Sequence, residues 1–453
     1  MLRHKRAGVA GIAAIAVVTL AAAGCSSSSS TTSATAPSSS SAAAPATSAA
    51  AAPSASGSTG GLGAQSVTDY LSYTGGKSGP ASSSLPPVTI GFVNQQGGPQ
   101  VIGQHATDGA EMAVNYINKE LGGVDGHPVQ LSTCFIASAE EEGNGCAQKF
   151  LANKSVDVIA MGAVVIGDQS FYATLGGKLP VVGGVAPLPI DGAQKNTAVL
   201  FGDATSVLGP FGTYGRDVLH AKTAAVLYPN TASATPGALA TQAALKAAGI
   251  SVKMGPYPAN ATDLTGVLAS TGAATADMVI PAVAAPDCVN IEKAFTQQGI
   301  TDPKKIVAAP LCLNGQVAAG LGGDFPKWTY LIASSLFGDT TDPGMIEYMK
   351  LAQTYSTPAN APDPWNIVDF GQLMTIDKIL NQVGYANLTP SAIQTAVQAF
   401  KGPQALGAPA LECGYNPAAP GVCNNRSQFF EYEGKNKWVK TAGWTQPPAG
   451  ESQ

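Results

Sequence analysis

The run Val88-Thr89-Ile90-Gly91-Phe92-Val93, the turn Gln95-Gln96-Gly97-Gly98 and the repeat Ala106, Ala110, Ala113, Val114, Ile117, Leu121 together decide how the chain is read. The first is a continuous apolar segment of strand length, which predicts a strand covered on both faces. The paired glycines punctuate it as a tight turn. Apolar residues then recur at intervals of three and four, the period of an amphipathic helix. Outward from this unit the alternation continues through Val129–Thr133, a helix around Cys146 to Ala152, Val156–Met161, a helix through Phe171, and Pro180–Val182. Strands alternating with helices predict an α/β protein with a parallel sheet between helical layers.

A second set begins at Thr223–Tyr228. It runs through a helix over Thr235–Ala248, Ile250–Met254, a helix after Asp263, Asp277–Ile280, a helix over Cys288–Gln298, and Lys305–Val307. Two successive sets predict two similar lobes. Tyr330–Ala333 is a further strand, followed by helices at Met345–Tyr355, Ile367–Val383 and Ser391–Phe400. Gln428–Tyr432 and Trp438–Lys440, separated by Glu433-Gly434-Lys435-Asn436, predict a terminal hairpin.

Composition bounds the function. Of 453 residues, 24 are Lys or Arg and 29 Asp or Glu, for a formal charge of −5. Hydrophobic residues make up 45% and charged ones 12%, so a large core can form. Arg3, Lys5 and Arg6 lie at the extreme N-terminus, and removing their three charges from −5 leaves −8. That balance excludes nucleic acid as a default partner.

The basic start is followed by an uncharged stretch, Ala7 to Gly24, ending in small residues before Cys25. This reads as an export signal over residues 1–24. Leu20-Ala21-Ala22-Ala23-Gly24-Cys25 resembles the bacterial lipoprotein signal, in which the cysteine is acylated and becomes the new N-terminus. It departs from that pattern at Ala22, where a leucine is usual. Residues 25–65 consist almost wholly of Ser, Ala, Thr, Pro and Gly and cannot bury enough surface to offset ordering entropy. They predict a flexible tether. If the lead-in over 66–87 is loose as well, about sixty residues would span roughly 40–45 Å.

With Cys25 lipidated, six cysteines remain, an even number in an exported chain. Six thiols allow fifteen pairings. Neighbour pairing (Cys134 with Cys146, Cys288 with Cys312, Cys413 with Cys423) is the preferred one. No CxxC is present and His105, His127 and His220 have no ligand spacing, so no metal site is expected.

Catalytic signatures fail in the same way. Gly75-Gly76-Lys77-Ser78 lacks the glycine a phosphate loop needs five residues before Gly76, since Leu71 stands there. Gly61-Leu62-Gly63 is followed by Ser66 where a dinucleotide fingerprint needs glycine. No GxSxG or HExxH occurs. Asp168 and Asp287, each following a strand, read as helix caps. No enzymatic activity and no cofactor are expected.

Val88–Val93, the Gly97-Gly98 turn and Asp108-Gly-Ala-Glu-Met-Ala-Val-Asn-Tyr-Ile-Asn118 resemble the opening of the branched-chain amino-acid binding proteins. These are the type I periplasmic solute receptors of ABC transporters. Val156–Gly162, Lys178–Val182, Thr223–Tyr228, Ala261–Leu264 and Met278–Gly299 agree in order, so the similarity spans roughly Val88 to Phe400. The resemblance implies two Rossmann-like parallel-sheet lobes joined by crossover strands and closing on a small molecule. Lobe 1 would comprise 88–205 and 334–405, lobe 2 would comprise 206–333 and 406–446, and 447–453 would be a tail. It also implies a monomer that hands its ligand to permease subunits while lipid-anchored on the outer face of the cytoplasmic membrane. A ligand sensor on the same fold is the alternative, and a cell-surface hydrolase is disfavoured for want of a nucleophile and base.

The contacts that resemblance implies are altered here. The serine that takes the ligand carboxylate falls in Gly162-Ala163-Val164-Val165, and the small residue and threonine after the fourth strand match Val185-Ala186-Pro187. The tyrosine before the Pro-acid pair falls at Ala284 or Ala285, and the glutamate for the ammonium falls at Leu311, after Pro310. A buried ammonium without a carboxylate costs several kcal/mol. The expected ligand is therefore less polar than an α-amino acid: an aromatic or aliphatic acid, an amide or a neutral metabolite. Gln95, Gln96, Tyr228 and Asn230 would orient it, with Gly97, Val164, Val165, Val185, Ala186, Ala285 and Leu311 lining the site.

Overall fold

The computed structural model describes residues 66–449, apart from 99–101, 186–187, 232–233, 260, 284 and 358–360. The export signal, Cys25, the Ser/Ala/Pro stretch and Ala186 thus lie outside the described residues. The strands of the first half are β1 (Val88–Gln95), β2 (Val129–Ile136), β3 (Val156–Ala163), β4 (Val181–Val185) and β5 (Thr197–Val199). They form one sheet, in the order β2-β1-β3-β4-β5, with every pair parallel. In the second half β6 (Thr223–Pro229), β7 (Ser251–Tyr257) and β8 (Met278–Pro281) form a parallel sheet in the order β7-β6-β8. β9 (Val307–Ala308) pairs with β10 (Thr329–Ala333), and a bridge from Val279 to Ile306 carries the sheet on from β8. A ribbon of β11 (Lys401–Gly402) and β12 (Leu411–Glu412) precedes the hairpin β13 (Ser427–Gly434) and β14 (Lys437–Thr445). β13 adds to β10 antiparallel.

The helices are α1 (Tyr70–Thr74), α2 (Ile102–Glu120), α3 (Glu140–Ala152), α4 (Asp168–Leu175), α5 (Pro189–Ala193), α6 (Ala204–Leu208) and α7 (Pro210–Asp217). They continue as α8 (Thr235–Ala247), α9 (Thr265–Thr271), α10 (Ala285–Gln297), α11 (Gly315–Gly320), α12 (Pro343–Tyr355), α13 (Pro364–Val383) and α14 (Pro390–Gln398). Alternation along the strands sorts the first sheet's two faces. Phe92, Val158, Ala160 and Val182 join α2 and α13 through Ala113, Ile117, Phe370 and Leu373. Val93, Ile159, Met161 and Val181 join α3 and α4 through Cys146, Phe150, Phe171 and Leu175. No helix among the described residues is long and apolar enough to cross a membrane.

The lead-in is not loose. Tyr70 is buried edge-on against Tyr116 and Phe370. The Tyr73 hydroxyl donates to the Pro403 carbonyl at 2.9 Å, and the Lys378 ammonium donates to the Tyr73 carbonyl at 2.9 Å. Two aromatic residues bury enough surface here to hold a segment whose composition is otherwise that of a loop. The three disulfides join Cys134–Cys146, Cys288–Cys312 and Cys413–Cys423 across 12, 24 and 10 residues. Neighbour pairing is the one the fold adopts.

Candidate functional site

Parallel strands deliver their carboxyl ends to one edge, and ligand sites of such sheets form there. β1 ends at Gln95, followed by Gln96 and Gly97, whose φ of +90° is left-handed. The chain then enters α2 through Gly103, where a Cβ would stand 1.7 Å from the Gln95 carbonyl oxygen, so only glycine fits. Asn94 locks this corner: its amide donates to the Gly103 carbonyl at 2.6 Å and to Thr107 at 3.0 Å, and its Oδ1 accepts from Ala163 N–H. Buried Gln95 accepts from Val165 N–H at 3.2 Å through Oε1. Gln96 accepts from Thr107 at 2.6 Å and donates to Gln104 at 2.8 Å, so it braces the loop. Val164 and Val185 are buried and Val165 half-buried at the ends of β3 and β4.

In the second sheet Tyr228 is buried near the end of β6. Asn230 is exposed, with its N–H on the Tyr257 carbonyl at 2.7 Å. Ala285 opens α10, and Leu311 is 37% exposed in the 3₁₀ turn Pro310–Cys312 after β9. The Cys288–Cys312 disulfide ties that turn to the first turn of α10. One apolar cluster includes Ala106, Ala163, Val185 and Trp365 from the first sheet's end and Val226, Tyr228 and Ile280 from the second.

Trp365 is the residue that reading the sequence missed. It is 3% exposed in the first turn of α13, and its Nε1–H has no acceptor among the described residues. A buried indole donor without a partner carries a desolvation cost that an incoming acceptor would relieve. Asp363 caps the same helix, accepting from Trp365 N–H at 2.9 Å. The Nε2 of His105 lies 4.0 Å from the Asp363 carboxylate, and its Nδ1 is buried without a partner. Burial raises Asp363 above the ordinary carboxylate range, and the nearby imidazole partly offsets that. The signal in the sequence was Asp363-Pro364-Trp365, an acidic cap, a proline and an aromatic opening a helix.

Asp168 and Asp287 are not caps. Asp168 is the first residue of α4 behind Gly167, and both its oxygens lack donors. Asp287 stands inside the first turn of α10, buried, with its carboxyl raised by desolvation. Among the described residues no cluster of three or more His, Cys, Asp or Glu is arranged to hold a metal.

Residues 87–417 match the family model described as "Periplasmic binding protein", and the chain belongs to that family. No curated protein sequence matches the chain. Its fold is that of solved type I receptors. The leucine binding protein LivK of Thermotoga maritima is 14% identical, with a TM-score of 0.64 over 80% of this chain and 99% of that one. An R. palustris ABC-transporter solute binding protein in complex with 4-hydroxybenzoate is 16% identical, with a TM-score of 0.64 over 80% and 99%. Streptococcus pneumoniae LivJ in complex with isoleucine is 14% identical, with a TM-score of 0.60 over 78% and 99%.

Proposed function

We propose that this chain is the exported, lipid-anchored receptor of an ABC importer, with Cys25 acylated and two lobes closing on a small organic acid or amide. Lobe 1 is 88–205 with 334–405, and lobe 2 is 206–333 with 406–446. Because residues 66–87 pack into the body, the tether is confined to residues 25–65. Ligand contacts made only in the closed arrangement shift the population toward it, and the permease subunits read that state.

One observation carries the ligand class: the unpartnered Trp365 Nε1–H stands in one apolar cluster with Ala163, Val185 and Tyr228, and Leu311 follows β9. Apolar walls with an unpartnered indole donor suit a carboxylate or carbonyl on an apolar body. They provide no carboxylate at Leu311 for an ammonium. That solved relatives include a 4-hydroxybenzoate complex supports an aromatic acid. Calorimetric titration with benzoate, 4-hydroxybenzoate, leucine, isoleucine and valine tests this. The aromatic acids are expected to bind; micromolar binding of any of the three amino acids overturns the assignment of ligand class.

A further inference from the structure

The chain passes between the two sheets three times. It leaves the first sheet after β5 at Leu200 and the second after β10 at Ser334, and it returns to the second through Gln404 and Asn424 before β13. The three passages meet on side chains. The Ser334 hydroxyl donates to the Leu200 carbonyl at 2.8 Å and is hydrogen-bonded to the Gln404 side chain. Leu336 N–H donates to the Leu406 carbonyl at 2.9 Å, and the Asn424 amide donates to the Phe201 carbonyl at 3.0 Å. Ser334, Gln404, Leu406 and Asn424 are all buried.

Two of these residues hold a backbone conformation that residues with a Cβ seldom adopt: φ is +42° at Ser334 and +54° at Leu406. Such residues persist only where their surroundings over-determine them, and they gather at segments that switch. A cavity of about 220 Å³ lies against the junction, lined by Val67, Leu336, Gln404 and Leu406 and, from β14, Lys440 and Trp444. It gives the junction room to repack, which a close-packed interior would not.

The lead-in reaches the same place from outside. The Tyr73 hydroxyl that donates to Pro403 also lies 3.1 Å from Thr375 Oγ1, which accepts from Ala405 N–H at 3.3 Å. Ser66 donates at 2.5 Å to the carboxylate of Asp342, the cap of α12 on the second passage. Tyr73 therefore fixes Pro403–Ala405, Gln404 fixes Ser334, and Ser334 fixes Leu200.

We propose that the lead-in is a strap on the hinge: through Tyr73, Gln404 and Ser334 it sets the three passages together and restrains the swing of the two lobes. The inference rests on the two-lobe reading above but not on the ligand class. The strap's bonds hold the arrangement seen here, so removing one hydroxyl should raise the population of other lobe orientations ~3–10-fold, the usual worth of one hydrogen bond. Pulsed electron spin resonance on the full chain tests this without ligand, using spin labels at Lys154→Cys and Lys246→Cys, exposed sites in the proposed lobes 1 and 2. Tyr73→Phe and Ser334→Ala should each raise the minor distance population by that factor. Thr375→Val stands in if Tyr73→Phe fails to fold. Tyr348→Phe is the control, because its buried hydroxyl bonds Ala361 and Asn366 within lobe 1, and it should leave the distances unchanged.

Unchanged distances in Tyr73→Phe, or an equal shift in Tyr348→Phe, overturns the strap. A shift in Ser334→Ala alone leaves a hinge without a strap and overturns it too. Benzoate added to the wild type separates the readings. Unchanged distances in the variants with a benzoate response in the wild type overturn the strap and leave the two-lobe reading standing. A strap effect with no response to benzoate supports the strap and counts against the ligand class.

Discussion

The two sheets solve the burial problem differently. In the first, every residue of β1 is buried, and α13 lies almost wholly inside, carrying Asn366, Asp369, Gln372 and Asp377 into the core. Neither carboxyl of Asp369 and Asp377 has a partner among the described residues, and desolvation raises both well above the usual range. The second sheet keeps an edge in water: β7 alternates exposed with part-buried residues over its first half, and the outer strand β14 has no fully buried residue. Helices pack on this sheet too, and each sheet's surroundings carry a disulfide, Cys134–Cys146 from β2 to α3 and Cys288–Cys312 from α10 to the turn after β9. The contrast lies in buried acids: the helix packed on the first sheet carries unpartnered carboxyls into the core, whereas the second sheet leaves an edge strand in water.

That contrast can be broken most forcefully through pH. An aspartate ordinarily titrates near about 3.9. Burial holds Asp168 up to about 7, and it holds Asp369 and Asp377 well above the ordinary value. Between those limits the folded chain keeps protons the unfolded chain has released, so stability falls as pH rises from about 4 to about 7. The stabilisation these acids contribute is fully present below about 4 and is lost as pH rises through their raised titration range. Urea titrations across that range should show it, and Asp369→Asn should flatten it. A rising curve contradicts the neutral state of these acids.

Removing the Cys288–Cys312 bridge by double alanine substitution should cost about 3.5 kcal/mol by the loop-closure relation. Exchange protection should fall mainly in α10 and the Pro310–Cys312 turn, with β1–β5 little changed. Uniform loss would mean that the sheets unfold as one. Trp365→Phe keeps the apolar ring but deletes the unpartnered donor. Benzoate affinity should drop ~5–30-fold, equivalent to about 1–2 kcal/mol for a lost hydrogen bond, while the melting temperature stays level or rises. A lower melting temperature with unchanged affinity would assign the indole to packing alone. The smallest effect is expected at the exposed Lys401–Glu412 pair across β11 and β12, where a double-mutant cycle should give ~0–1 kcal/mol.

Much of the fold was legible because burial leaves a period in the sequence. The apolar runs at Val88, Val156 and Thr223 fall on β1, β3 and β6, and the three-and-four repeat from Ala106 falls on α2. Errors fell where a local signal opposed tertiary packing. Reading β4 to stop at Val182 follows from Gly183-Gly184, yet the strand continues to Val185. A Cβ at Gly184 would stand 2.7 Å from Gln372 Oε1, so the glycine makes room for α13 and does not end the strand. β7 likewise runs on through Gly255-Pro256 to Tyr257, which an edge strand tolerates because its outer N–H groups need no partner.

The sequence by itself determined the alternation of strands and helices, the even set of six body cysteines and the apolar character of the strand ends, because each is a local pattern of side chains. Only the tertiary structure decided that Trp365 joins residues more than a hundred positions away in one apolar cluster, and that Asp369 and Asp377 lie fully buried with no partner among the described residues. Burial and proximity between distant segments set the charge state of an acid and the worth of a donor, and neither is written in any short stretch of chain.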